Sequence, residues 1–113
     1  MTYAEERPWG WFETLVSGTT YKVKLISVKP QSRLSLQRHE HRSEHWVVVA
    51  GTGVITVEDA EILASPGTTA FIPVGAVHRL EASDSELVLV EVQRGVKLYE
   101  EDITRLSDDY GRK

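Results

Sequence analysis

The chain has 113 residues, 41% of them hydrophobic, and a formal charge of −4 from 13 Lys+Arg against 17 Asp+Glu. That is enough chain for one domain with a proper core, so residues 1–113 are read as a single unit. No apolar run reaches the about 18 residues of a membrane span, no basic stripe invites nucleic acid or an anionic membrane, and zero cysteines exclude disulfides and thiolate metal sites.

A small molecule or another protein is therefore the expected partner. The amino-terminal stretch MTYAEERPWGW is charged and aromatic, with no apolar signal-peptide core, so the cytoplasm is the expected location. In RPWGWFETL, Trp9, Trp11 and Phe12 are expected to cover one open end of the fold or to pack on a partner subunit. A homodimer is expected, because large exposed aromatics are a liability on a monomer.

TYKVKLISV alternates Tyr21, Val23 and Leu25 against Lys22 and Lys24, and KPQSR reads as a turn. LSLQRHEH alternates again, with Leu34 and Leu36 on one face and Ser35, Gln37, His39 and His41 on the other. HWVVVAG is a β-branched, aromatic strand ending at Gly51, and GVITVED reads as its hairpin partner. Two Pro/Gly turns bracket TTAFI, and ELVLVEVQ reads as a buried strand. Only the tail suggests helix: Ile103, Leu106 and Tyr110 share a face at helical spacing, and Gly111 suits a stop. The pattern predicts an all-β fold, a small barrel or two-sheet jelly roll with a short C-terminal helix, whose mouth can hold one ligand.

Three of the four histidines, His39, His41 and His45, crowd into seven residues; the fourth is His78. Residues i and i+2 of a strand point the same way, so Gln37, His39 and His41 project from one face if the strand persists. Such groups are expensive to bury unless they bind something. The spacing Gln37-x-His39-x4-Glu44-x6-Gly51, followed by Gly67-x5-Pro73-x-Gly75-x2-His78, resembles the two cupin motifs, with Gln37 where the first histidine usually stands. Gln37, His39, Glu44 and His78 would converge inside the barrel on one divalent metal. The literal H-x-H set, His39, His41, Glu44 and His78, is the alternative. An amide, two imidazoles and a carboxylate suit zinc first, with manganese, nickel or cobalt as other candidates, and leave the ion positive enough to act as a Lewis acid. His45 neighbours Glu44 and is expected on the opposite face, as a structural or surface residue.

RPWG, LSLQRHEHRSEHWVVVAGTG, FIPVGAVHRLE and VEVQRGVKLYEEDITRLSDDYGR together resemble the C-terminal isomerase domain of type II mannose-6-phosphate isomerases. In that family the domain is often fused behind a mannose-1-phosphate guanylyltransferase. No Gly-rich nucleotide loop with following Arg and Lys occurs in these residues, so no nucleotidyl transfer is expected of them. LSLQRH is also similar to a run of type I mannose-6-phosphate isomerases, which implies zinc ligation by Gln37 and His39. The family often has Gly at the position of Gln31, Asn at that of Ala82, and a different tail sequence over residues 97–102.

The resemblance implies interconversion of mannose 6-phosphate and fructose 6-phosphate. That chemistry needs a general base within reach of C2. His41 is the first candidate, for a pKa near neutrality, and Glu91 the second. Arg42 and Arg79 are candidates to hold the phosphate, with Lys97 and Arg105 behind them, because a guanidinium grips phosphate bidentately. The competing functions are a sugar-binding cupin module and a metal-dependent dioxygenase. The second would prefer a His-rich set that Gln37 argues against.

Overall fold

Period-two alternation carries the fold, and the residues in phase on each strand decide what lies inside. A computed structural model describes residues 3–113. Met1 and Thr2, the first residues of the amino-terminal segment, lie outside the described residues. The strands are β1 (Ala4–Arg7), β2 (Gly10–Ser17), β3 (Tyr21–Val28), β4 (Leu36–Arg38), β5 (Ser43–Ala50), β6 (Gly53–Val57), β7 (Ala60–Ala64), β8 (Thr69–Ile72), β9 (His78–Ala82), β10 (Leu87–Arg94) and β11 (Thr104–Ser107). They form one sheet in the order β1-β2-β3-β10-β5-β8 and a second in the order β11-β4-β9-β6-β7, with all strand neighbours antiparallel. The core lies between them: Ile26, Val28, Val48, Ile72, Leu87 and Leu89 from the first sheet meet Ile55 and Leu80 from the second.

Each inward row changes character along its strand. On β10, Leu87 and Leu89 give way to Glu91 and Gln93, all buried. On β3, Val28 and Ile26 give way to Lys24; on β5, Val48 and Trp46 to Glu44; on β9, Leu80 to His78. Register aligns these changes: Lys24 pairs with Glu91, Glu91 with Trp46, and Gln93 with Glu44. The barrel is thus packed with hydrocarbon at one end and lined with polar groups at the other. The first end supplies the burial that stabilises the second.

Leu80 has no exposed surface and sits where the apolar core meets the polar cavity. Leu80→Ala is expected to cost about 2–5 kcal/mol of folding stability through lost burial and a residual cavity. Urea denaturation followed by tryptophan fluorescence checks this; a loss below about 1 kcal/mol would mean the packed end is not what holds the sheets together.

The expected C-terminal helix is corrected. Residues 104–107 form β11, pairing Thr104 with Arg38 and Arg105 with Gln37, and no helix occurs among the described residues. A short isolated helix is marginal in water, whereas the open edge of β4 offers hydrogen bonds to an extended chain. The tail is then tied by Asp108, whose carboxylate accepts two hydrogen bonds from the Arg112 guanidinium, at 2.9 and 2.8 Å. Gly111, expected to stop a helix, takes a left-handed φ of 71° in the turn that follows β11. Gln31 has a φ of 60°, which accounts for the glycine expected there from the family. Trp9 and Phe12 are buried in the chain's own core, and Trp11 is half-buried.

Candidate metal centre

β4 and the turn after it carry Gln37 and His39, β5 begins with Glu44 as its second residue, and β9 opens on His78. Gln37 and His78 are register partners across the β4–β9 pair. All four side chains are buried and line one cavity of about 150 Å³ at the polar end of the barrel. Ligand-type atoms of His39, Glu44 and His78 lie within 4.8 Å of one another. Nε2 of His39 is 3.2 Å from Glu44 Oε2, and Nε2 of His78 is 3.8 Å from Glu44 Oε1. Pairs 3.2 and 3.8 Å apart are close enough to share one ion at about 2.1 Å.

The far side of each imidazole fixes its tautomer. His39 Nδ1 lies 2.6 Å from the Asp102 carbonyl and His78 Nδ1 lies 2.9 Å from the Ala76 carbonyl. A carbonyl has no proton to give, so Nδ1 carries the hydrogen in both rings and Nε2 presents a lone pair to the cavity. Burial, and then the neighbouring Arg42 guanidinium, lower the His39 pKa to about 4; burial lowers that of His78 as well. Both rings are thereby kept neutral, the form that ligates metal. The donor set fits a divalent ion.

The motif glycines serve the backbone. Gly51, Gly67 and Gly75 all have positive φ, at 84°, 95° and 82°. The Gly75 N–H donates to the His39 carbonyl at 2.8 Å, so the turn of the second motif is fastened to a candidate ligand of the first.

Opposite the cluster stands Glu91. Trp46 Nε1–H is shared between Glu44 Oε1 and Glu91 Oε1, each at 3.0 Å, and the Gln93 amide donates to Glu91 Oε2 at 2.8 Å. Burial and the adjacent Glu44 charge push the Glu91 pKa up to about 7. Its strand neighbour Lys24 is buried, with Nζ 2.9 and 2.8 Å from the two Glu100 oxygens and 4.2 Å from the centre of the Phe12 ring. Arg42 lies beside the candidate ligands, with Nε donating to Glu44 Oε2 at 2.9 Å and Nη2 3.2 Å from His39 Nε2. Arg7, Arg105 and Arg112 also line the cavity.

Several sequence candidates lie elsewhere. His41 does not line the cavity; its ring centre is 6.1 Å from that of Tyr99, and its N–H donates to Asp102 Oδ2. The strand ends at Arg38, so the period-two argument that put His41 beside His39 stops one residue short of His39. Arg79 donates to the Leu34 and Ser107 carbonyls and lines no part of the cavity. Lys97 is exposed on the loop after β10. His45 is exposed, its ring centre 4.6 Å from that of Phe71.

Lys24, Trp46, Gln93, Glu100 and Arg112 were not singled out as candidates from the sequence. Gln93 is in phase with Leu87, Leu89 and Glu91, and Trp46 with Glu44 and Val48, which is a readable signal. Asp102 carried none: its carboxylate accepts the Glu40 and His41 amides, and its carbonyl aligns His39.

The sequence profile of the family described as mannose-6-phosphate isomerase C-terminal matches residues 2–108. The chain is 47% identical to the alginate biosynthesis protein AlgA of Pseudomonas aeruginosa, covering 94% of this chain and 22% of that protein. It is 46% identical to a mannose-1-phosphate guanylyltransferase of Escherichia coli, with coverages of 94% and 22%. The chain thus spans less than a quarter of the length of these relatives. Among solved structures it is similar to the capsular polysaccharide assembling protein CapF of Staphylococcus aureus, with a TM-score of 0.83 at 21% identity over 95% of this chain and 33% of that one. It is also similar to a cupin-2 domain from Rhodospirillum rubrum, with a TM-score of 0.73 at 22% identity over 90% and 77%. These likenesses establish an all-β cupin fold.

Proposed function

Since the chain belongs to the mannose-6-phosphate isomerase C-terminal family, we propose that it is a metal-dependent aldose–ketose isomerase interconverting mannose 6-phosphate and fructose 6-phosphate. The observation that carries this reading is one cavity joining the His39–Glu44–His78 cluster, the buried carboxyl of Glu91 and an arginine-lined wall. Gln37 completes the ligand set. Zinc is the first candidate ion, with manganese, nickel and cobalt as alternatives. When bound, the ion polarises the C1 and C2 oxygens of the sugar.

The protein's own groups then move protons. The Glu91 carboxylate takes the proton from C2 of the aldose, and the electron pair released forms the C1–C2 double bond as the C1=O1 π pair moves onto O1, giving an enediolate. The same carboxyl returns the proton to C1, while the O2 proton passes to O1, so the atoms balance. Trp46 and Gln93 hold Glu91 in place through its two oxygens. Lys24, opposite Glu91, favours negative charge on the reacting oxygens. His41 has no part in this scheme, since it does not line the cavity.

The phosphate is assigned to the cationic wall, and to Arg105 first. Arg112 is committed to Asp108 through Nε and Nη2, whereas Arg105 is held only by Nη1 on the Lys113 carbonyl and its Nε is buried with no partner. Arg105→Ala is expected to raise KM for the sugar phosphate about tenfold or more with little change in kcat, the mark of an interaction felt equally in ground and transition states. Steady-state kinetics check it, and an unchanged KM would move the phosphate elsewhere.

The reading as a whole is tested by a coupled assay for fructose 6-phosphate formed from mannose 6-phosphate, with each of the four metals added and no nucleotide. Turnover supports it. Tight sugar-phosphate binding without turnover would make the chain a binding module.

A further inference from the structure

The Arg42 guanidinium is nine-tenths buried and donates to two atoms of the candidate ligand set, Glu44 Oε2 at 2.9 Å and His39 Nε2 at 3.2 Å. Its remaining terminal nitrogen, Nη1, is buried with no partner. Those two acceptors are the ones that an ion held by His39 and Glu44 would take. The imidazole Nε2 has a single lone pair, because Nδ1 already carries the hydrogen. It can face a guanidinium N–H or a metal ion, but not both.

We infer that Arg42 is an internal competitor for the metal: a fixed cation that satisfies His39 and Glu44, and that must turn away from His39 when an ion binds. This rests on the metal reading above and adds to it a coupling between metal occupancy and the direction of a guanidinium. Arg42 lies in the wall of the cavity. Released from His39, two of its nitrogens are free to meet the oxygens of a substrate at the reacting end of the sugar. Metal entry then does two things at once. It completes the ligand set and turns a positive group toward where negative charge develops. In the metal-free protein, the same arginine keeps a buried carboxylate paired, which avoids the cost of an isolated buried charge.

The test uses cobalt(II) and zinc(II) as probes on the whole chain, without substrate. Arg42→Met removes the charge and the donors at similar volume. Isothermal titration and the visible spectrum of bound cobalt are expected to show the metal held about tenfold or more tightly by R42M than by wild type, whereas a merely structural role for Arg42 would weaken binding. Equal or weaker binding by R42M overturns the inference. Should R42M fail to fold, the wild-type protein answers the question alone. Its Arg42 Nε–H resonance, assigned by its absence in Arg42→Lys, is expected to shift on one equivalent of zinc; a resonance that does not shift overturns the inference. The two levels remain distinguishable. A wild-type protein that binds neither metal removes the metal reading itself, while one that binds metal with Arg42 unmoved removes only the competition.

Discussion

His78→Ala is expected to abolish stoichiometric metal binding and, with it, the proposed isomerase turnover. His78 is the one candidate ligand that the second motif supplies, and it is held with its Nε2 toward Glu44 by the Ala76 carbonyl behind it. The alanine leaves two residues of the three-residue cluster, and Glu44 then loses an imidazole neighbour without gaining a partner. A loss of about 3 kcal/mol or more in metal affinity, at least about 100-fold, follows from removing one imidazole from a buried site. Metal analysis after dialysis and the coupled assay check the two parts. Two comparison variants sharpen the result. Gln37→Ala should weaken metal binding, since its amide lines the same cavity and is the register partner of His78. His41→Ala should leave metal stoichiometry intact, because that ring lies outside the cavity wall. The opposite outcome for this pair would return the site to the literal H-x-H reading. Retention of one equivalent of metal by His78→Ala would sink the proposed centre outright.

The two halves of the cluster were legible for a simple reason. Their spacings are set by turns, and the turns need glycines at positive φ, which a sequence displays openly. Gly75 even shows how the motifs communicate, through its hydrogen bond to the His39 carbonyl. The all-β fold was legible from alternation. What alternation hid was the identity of the inner face at the polar end. On β3 the apolar trio Tyr21, Val23 and Leu25 stands opposite Lys24, and it is Lys24 that is buried against Glu91. A sheet whose outer face is also apolar gives no contrast from which to read direction. His41 misled in another way: i and i+2 share a face only while a strand lasts, and β4 ends at Arg38. The tail misled because helical spacing in a short segment is weak against a waiting strand edge. The edge brought Arg105 opposite Gln37, a contact between distant parts of the chain that no local pattern encodes.

If Glu91 is the proposed general base, Glu91→Gln is expected to lose turnover by about 10²–10⁴-fold, while making the metal-free protein more stable above neutral pH. The sign follows from linkage. The folded-state pKa of Glu91 is raised to about 7 from an ordinary value of 4.5, by burial first and the Glu44 charge second. Below pH 4.5 the group is protonated whether the chain is folded or not, so it contributes no pH-dependent difference. Between pH 4.5 and 7 the unfolded chain releases a proton that the folded chain retains, and wild-type stability falls as pH rises. Above pH 7 the cost of an ionised Glu91 is fully present and constant. Glutamine never carries that charge, so the stability of E91Q relative to wild type should grow from pH 4.5 to 7 and level off above. The depressed pKa values of His39 and His78 act the other way in wild type, lowering stability as pH falls; the Glu91 charge is among the lesser influences that raise both, so they cancel only in part in the difference. The hydrogen bonds also survive the change. The carbonyl oxygen of the substituted amide can still accept from Trp46. Its NH₂ group can donate to the Gln93 Oε1, which is buried without a partner in wild type, once the Gln93 amide flips. Thermal unfolding of both proteins in chelator, from about pH 4 to about pH 9 and set beside kcat, tests the whole argument. An E91Q protein that turns over at the wild-type rate would remove Glu91 as the base. One that is inactive but less stable at every pH would make Glu91 a structural carboxylate whose loss merely disorders the cavity.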